Sequence, residues 1–367
     1  MRILLVIDTL ESGGAQRLFV NLANGISKIF DTWILLYNST GEYFHKCDNN
    51  LKIIEIRKTP HRGIKLNTYI RIWKEIKRSD LIISFMPSSS IYCFLSRSFF
   101  NWNNKLICNE VSINNILESK LKRLITNFSY IKSDHIICNT KKQRDYLKNL
   151  PFLNNKVSTI YNGCKDIKFY KKEFKDNKKK KLIIIGRVAY AKNGLRLLKS
   201  LKLFHQKHNF LPKVEWAGRL DASRSKSNKL YNDMKIFLKE NPIVCKNFEF
   251  IGEVKEIEDL YKNADGLISV SIFEGLPYVI CEAMFSGCPV LASNISDNGI
   301  ILGENSERGF LCNPLSIQSI CGGLENLIFS PEEKLLDMTI KSRTFAEDHF
   351  SLQKMLNSYK NLIREFI

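Results

Sequence analysis

The sequence predicts an α/β protein of two doubly wound parallel-sheet domains, and three observations carry that expectation. The chain is 367 residues long, beyond the ~250–300 residues at which a single core stops growing, so two domains are expected. Short apolar, β-branched runs alternate with helix-spaced segments along nearly its whole length, as βαβ units on a sheet buried on both faces require. A polar, Lys-heavy stretch at 165–180 interrupts the alternation, and a second series starts after it.

In the first series the expected strands are RILLVI (2–7), TWILLY (32–37), KIIEI (52–56), LIISFM (81–86), KLICN (105–109) and HIICN (135–139). Between them, 15–28, 67–78, 113–131 and 141–150 carry apolar residues at helical spacing. The turn Tyr161-Asn162-Gly163 then leads into the Lys-rich linker. In the second series the strands are KLIIIGR (181–187), KVEWAG (213–218), FEFIG (248–252), GLISVS (266–271) and PVLAS (289–293). The expected domains are 1–164 and 181–345, facing each other across a cleft, with 346–367 a closing helix that returns to the first domain.

Apolar residues make up 44% and charged residues 25% of the chain, which excludes a disordered or fibrous class. The excess of 56 Lys+Arg over 37 Asp+Glu, a formal charge of +19, predicts attraction to polyanions: nucleic acid, anionic lipid or phosphorylated substrate. A Lys-, Asn- and Ile-rich composition drawn from an A/T-rich genome would give the same excess. Ten cysteines without a C-x-x-C read as buried, reduced thiols rather than a zinc or disulfide framework. His205 and His208 lie one helical turn apart and read as surface residues, and no histidine sits in a metal-binding pattern. No apolar run reaches ~18 residues and 1–8 lacks a basic leader, so the cytoplasm is the expected location, with a membrane surface left open.

Open parallel sheets bind ligands at the carboxyl ends of their strands, where helix N-termini offer N–H groups and a positive dipole to anions. The strand at 266–271 runs into Ile272-Phe273-Glu274-Gly275-Leu276-Pro277, with Pro277 expected in the first turn of a helix ending at Gly287. Glu274 precedes that helix and Glu282 lies within it. A phosphate on the N–H groups around Gly275–Tyr278 would leave hydroxyl pairs of a sugar and a ribose within reach of these two carboxylates. Alone, such a spacing is common by chance and reads as one carboxylate favouring the helix dipole and another on a solvated face.

The flanking residues add a resemblance. Ser271-x-x-Glu274-Gly275-Leu276-Pro277, followed by Glu282-Ala283-Met284 and Gly287-Cys288-Pro289-Val290, resembles the S-x-x-E-G-x-P…E-A-M…G-x-P-V signature of glycosyltransferase family 4. Gly186-Arg187 with Lys192-Asn193 is similar to that family's G-R-x4-K-[GN] element, and Gly13-Gly14-Ala15-Gln16 to its G-G-A-[EQ] loop. Ile160-Tyr161-Asn162-Gly163 looks like its domain-junction motif, and Phe250-Ile251-Gly252-Glu253-Val254 like the segment that meets the nucleotide base. The resemblance implies a GT-B fold and transfer of a sugar from a nucleoside diphosphate, with uridine diphosphate the commonest carrier and retention at the anomeric carbon. It implies Arg187 and Lys192 at the diphosphate, Glu274 at the sugar hydroxyls, Glu282 at the ribose, and Gly13, Gly14 and Gly186 as backbone facing the donor. No D-x-D occurs in the chain, so these cations and a helix dipole are expected to carry the leaving-group charge without a metal, and no cofactor beyond the nucleotide sugar is expected.

Two departures from the family pattern stand out. Arg219-Leu220-Asp221 replaces a second glycine after Gly218, and Cys108-Asn109-Glu110-Val111-Ser112 lacks the histidine often found beside the sugar. Asn109 and Glu110 are the acceptor-side candidates there. The expected acceptor is a glycan, lipid-linked as in bacterial O-antigen or capsule synthesis. A basic helix at 65–78 bearing Tyr69, Ile70, Trp73 and Ile76, and a segment at 94–105 bearing Phe99, Phe100 and Trp102, suit an anionic membrane surface. The alternative is an amphipathic helix facing its own core. A same-fold epimerase or phosphorylase and, from charge alone, a nucleic-acid-binding protein are the competing functions; no nucleic-acid reader motif is present.

Overall fold

The structure is a computed structural model, and the residues described are 1–11, 13–38, 41–57, 66–100, 103–110, 120–165, 167–171, 173, 176–220 and 225–366. They divide into two compact units, Met1–Gly163 with Leu352–Ile367, and Cys164–Ser351.

In the first unit β1 (Arg2–Ile7), α1 (Gly14–Ile26), β2 (Asp31–Asn38), β3 (Lys52–Arg57), α2 (Leu66–Lys77), β4 (Leu81–Phe85), α3 (Pro87–Phe100), β5 (Lys105–Glu110), α4 (Lys120–Lys132), β6 (His135–Cys138), α5 (Lys141–Lys148) and β7 (Val157–Thr159) follow in chain order. The sheet runs β3-β2-β1-β4-β5-β6-β7 with every pairing parallel. Alternation along β1 sends Ile3, Leu5 and Ile7 to one face and Leu4 and Val6 to the other, and both faces are covered. Burial of each such side chain contributes about 1.5–3 kcal/mol, which is why these strands are apolar throughout. Ile72 and Ile76 of α2, Phe94 of α3 and Tyr130 of α4 cover the Leu4 face. Helix α2 therefore turns Ile72 and Ile76 to its own core, while Ile70 is exposed. The side chains of Tyr69, Phe99, Phe100 and Trp102 lie outside the described residues.

The second unit holds β8 (Lys181–Ile185), α6 (Gly194–His208), β9 (Lys213–Ala217), α7 (Ser225–Glu240), α8 (Pro242–Asn247), β10 (Phe248–Gly252), α9 (Ile257–Asn263), β11 (Gly266–Ser269), α10 (Tyr278–Ser286), β12 (Val290–Ser293), α11 (Asn298–Leu302), β13 (Phe310–Cys312), α12 (Ile317–Phe329) and α13 (Glu332–Phe350). Its parallel sheet runs β10-β9-β8-β11-β12-β13, repeating the order of the first unit's leading six strands. In that order the chain reverses direction across the sheet between β8 and β11, and such a reversal opens the crevice where doubly wound sheets take ligands. The closing helix α14 (Leu352–Glu365) begins after Ser351 and packs Met355, Tyr359, Leu362 and Ile363 against the Ile3 face of the first unit's sheet.

All ten cysteines are free; Cys245 is exposed and Cys47 half-buried, against the expectation of uniform burial. Burial pushes the Cys312 thiol up to about 12. His208 is not a plain surface residue: its Nε2 lies 2.9 Å from Glu325 Oε1 and it is only partly exposed.

Candidate active site

The sheet reversal in the second unit brings together two loops that the sequence separates widely. At the end of β8 the chain turns at Gly186, φ +133°, against Gly218, φ +148°, at the end of β9. A Cβ on Gly218 would stand 2.1 Å from the Gly186 carbonyl oxygen, so the approach requires glycine. The Gly186 oxygen also accepts Trp216 Nε1–H at 2.8 Å. Arg187 follows as an exposed side chain.

A short turn at Tyr190–Lys192 then ends on Asn193, which takes a left-handed conformation, φ +62°, tolerable for asparagine. Asn193 is 4% exposed. Its Nδ2 donates to Val270 O at 3.1 Å and Pro314 O at 2.7 Å, and Ile272 N donates to Ala191 O at 2.8 Å. These bonds fix the loop after β8 to the segments that follow β11 and β13. The result is an ion pair between Lys192 Nζ and Glu274 Oε1 at 2.6 Å, with Ser271 Oγ donating to the same oxygen at 2.9 Å. Both charged side chains keep about a fifth of their surface in solvent, 20% and 21%.

Helix α10 starts one residue later than expected: Pro277 is its N-cap, in extended conformation, and Gly287 ends it at φ +74°. Proline contributes no N–H, and no side chain caps this N-terminus, leaving its dipole directed at the loop that carries Glu274, Gly275 and Leu276. Leu276 is buried and Gly275 half-buried. Glu282, inside the helix, is 4% exposed, and Tyr261 Oη of α9 donates to its Oε2 at 2.9 Å. The solvated-face reading of Glu282 is therefore excluded. Tyr261 was not anticipated; 21 positions separate it from Glu282 and no local spacing announces it.

On the β9–β10 side, Gly252 adopts φ +73° with open space at its Cβ, and its carbonyl accepts Gly218 N–H at 2.7 Å. Glu253 is exposed and lies 3.7 Å from Arg219, a pair of little energetic weight at the surface; Val254 is half-buried. Asp221 lies outside the described residues.

The remaining candidates belong to the first unit. Gly13 caps α1 and Gly14 opens it, and a Cβ on Gly13 would meet only the flexible end of Gln16. Ser12, Val111 and Ser112 lie outside the described residues. Asn109 and Glu110 end β5 almost fully buried, Asn109 donating to Tyr359 of α14 and Glu110 accepting from Tyr130 of α4. Burial and the adjacent Glu110 charge hold the Tyr130 phenol well above its usual range. Both candidates are thus engaged with buried tyrosines. Asn162, at the junction turn, is also buried. Among the described residues no group of three or more His, Cys, Asp or Glu is gathered to hold a metal ion.

Comparison with known proteins bears on these observations. The family model for "Glycosyl transferases group 1" matches residues 166–344, and that for "Glycosyltransferase Family 4" matches residues 12–166. An uncharacterized glycosyltransferase of Haemophilus influenzae is 25% identical over 359 residues, covering 96% of this chain and 97% of its own. A Campylobacter jejuni α-1,4-N-acetyl-D-galactosaminyltransferase, whose name gives an undecaprenol-diphosphate-linked substrate, is 26% identical over 328 residues, covering 84% and 86%. The crystal structure of Anabaena HepE with UDP-glucose aligns with a TM-score of 0.82 at 16% identity, covering 100% of both chains, and so shares the GT-B fold. With two all-parallel α/β units of the same strand order and family models spanning nearly its whole length, the chain belongs to glycosyltransferase family 4 and is a glycosyltransferase.

Proposed function

We propose that the protein transfers a hexose or N-acetylhexosamine, with retention at the anomeric carbon, from a nucleoside diphosphate sugar to a lipid-linked glycan during bacterial surface polysaccharide synthesis. The observation that carries this reading is the Lys192–Glu274 pair at the β8–β11 reversal. A diphosphate bound there meets the Lys192 ammonium, the Arg187 guanidinium and the uncapped N-terminus of α10, three positive elements on the path of a departing phosphate. Lys192 exchanges part of its contact with Glu274 for phosphate oxygens, and the Glu274 carboxylate turns to hydroxyls of the sugar. Glu282, held by Tyr261, takes the ribose diol. Gly252, Glu253 and Val254 border the base.

With those groups in place, catalysis is positioning plus stabilisation of charge on the leaving diphosphate, needing no metal and no cofactor besides the nucleotide sugar. Uridine diphosphate is favoured as the carrier because the similar HepE structures hold UDP, UDP with glucose, or UDP-glucose. The lipid-linked acceptor is supported by relatives whose names include undecaprenol-diphosphate substrates. The test is a thermal-shift panel of nucleotide sugars followed by transfer assays with the stabilising donor and polyprenyl-diphosphate-linked acceptors. A donor at ~100 times its Kd stabilises by ~2.7 kcal/mol, and NMR of the product reads the anomeric configuration. Stabilisation by no nucleotide sugar rejects the donor site, and release of a rearranged sugar without acceptor rejects transfer in favour of the epimerase alternative.

A further inference from the structure

A helix that aims its N-terminus at a ligand has to be held at its other end. Helix α10 has nine residues, a length of about 13 Å, and its last four carbonyls lack partners in its own ladder. Those of Ala283 and Met284 accept from the N–H groups of Cys288 and Gly287 at 2.9 and 3.4 Å, in the left-handed turn at Gly287. The other two are taken by residues remote in sequence. Ser286 O accepts Tyr170 N–H at 3.0 Å, and Phe285 O accepts from Arg343 Nη1 at 2.6 Å. The same Nη1 donates to Ile167 O, so one guanidinium on α13 ties the end of α10 to the 167–170 segment. The Arg343 Cζ stands 5.2 Å from the centre of the Phe285 ring, and Glu347, one turn further along α13, accepts its Nε–H. Phe169 closes over the turn, since a Cβ on Gly287 would lie 2.6 Å from its ring. Tyr170 also reaches α9, its ring centre 5.8 Å from Lys262 Nζ, beside the Tyr261 that holds Glu282.

We propose that Arg343 is a positioning residue of the donor site, acting from the end of α10 opposite the Glu274 loop and setting the direction of the helix by gripping its C-terminus. The proposal rests on the reading of that loop as the donor site. The guanidinium places positive charge against the negative end of the helix dipole, and its two carbonyl acceptors hold it in one orientation. A tilt of about 5° about that end moves the N-terminus of a ~13 Å helix by ~1 Å, a displacement that matters where positioning is the main catalytic device. Glu282 lies within the same helix and moves with it.

The experiment titrates UDP calorimetrically into the wild type, Arg343→Met, Arg343→Lys and Arg308→Met, with melting curves recorded in parallel. Arg308 is a matched control: its side chain is 19% exposed against 18% for Arg343. It likewise donates to two helix carbonyls, Ile300 and Ile301 of α11 at 2.9 and 2.7 Å, and packs on a phenyl ring, that of Phe345. Arg343→Met keeps the stem without the donors and is expected to bind UDP about fivefold more weakly or worse. Arg343→Lys returns a donor to the carbonyls and recovers affinity to within about twofold of wild type. Arg308→Met melts lower by a similar margin yet binds UDP within about twofold of wild type. Should Arg343→Met not fold, Arg343→Gln, which keeps one amide donor, takes its place with an expected loss of about threefold or more. Wild-type UDP affinity in the folded Met or Gln variant overturns the proposal. Equal weakening in Arg308→Met, or no recovery in Arg343→Lys, overturns it too, because the effect is then one of general stability. Failure of the wild type itself to bind UDP overturns the donor-site reading instead.

Discussion

Replacing Tyr261 by Phe probes the buried end of the donor site with the smallest possible change. The ring is fully buried and stays in place, but Glu282, 4% exposed, loses the Oη–H donor at 2.9 Å from its Oε2. A hydrogen bond to a charged group is worth about 1.5–3 kcal/mol, and a buried carboxylate deprived of a donor pays the upper part of that range. For a domain of ~150–250 residues this corresponds to a fall in Tm of about 3–12 °C. If Glu282 also holds the ribose, the loosened carboxylate weakens UDP binding by at least threefold. Differential scanning calorimetry with and without UDP measures both effects on one sample. A melting temperature within 1 °C of wild type refutes the energetic reasoning. A lowered melting temperature with unchanged UDP affinity refutes the ribose assignment and leaves Tyr261–Glu282 a purely structural bond.

Other positions give independent outcomes. Gly218→Ala forces a Cβ to 2.1 Å from Gly186 O at φ +148°, and an equilibrium urea titration is expected to show a loss of at least ~2 kcal/mol; Gly322→Ala, with open space at its Cβ, serves as the control. Asn193→Gly keeps the left-handed backbone but loses the bonds to Val270 and Pro314, costing about 1–3 kcal/mol, and Asn193→Ala costs more because alanine resists that conformation; equal urea midpoints for the two variants would remove the backbone part of the argument. Glu215 is buried, which alone would raise its pKa, yet hydrogen bonds and charge from Lys181 and Lys213 at 2.6 and 2.8 Å bring it below the ordinary 4.5. A depressed carboxylate adds stability above its unfolded pKa and loses it as pH falls through the folded value, so the stability gap between wild type and Glu215→Gln shrinks as unfolding is measured from pH 6 down through 4.5 and below. A gap that stays constant or widens on acidification contradicts that sign.

Much of the fold was legible because the strands are buried on both faces and write that burial as unbroken apolar runs such as Leu182–Ile185. The elements not anticipated, β7 (Val157–Thr159), β13 (Phe310–Cys312) and α3, lack that signature: the two strands are three residues long, and α3 opens on a Pro-Ser-Ser-Ser stretch that reads as a turn. Strand ends were also overextended, as at Met86, whose φ of +74° stops β4 one residue early. In the site, Arg187, Lys192, Glu274 and Glu282 stand out as charges in motifs, whereas Asn193, Tyr261 and the Gly186–Gly218 contact act through tertiary geometry. Glu274 and Lys192 are 82 positions apart; only the β8–β11 pairing brings them together. Asn109 and Glu110 illustrate the converse, since strand-end position marked them as pocket residues and the buried tyrosines that engage them come from α14 and α4.

Calorimetric titration of UDP into the wild type and into Arg187→Ala/Lys192→Ala asks whether the loops after β8 and β11 form the donor diphosphate site. Each charge-assisted contact to phosphate contributes about 1.5–3 kcal/mol, so the double variant is expected to bind UDP at least 100-fold more weakly while melting as a folded protein. Binding of UDP by the folded double variant with wild-type affinity would contradict the account.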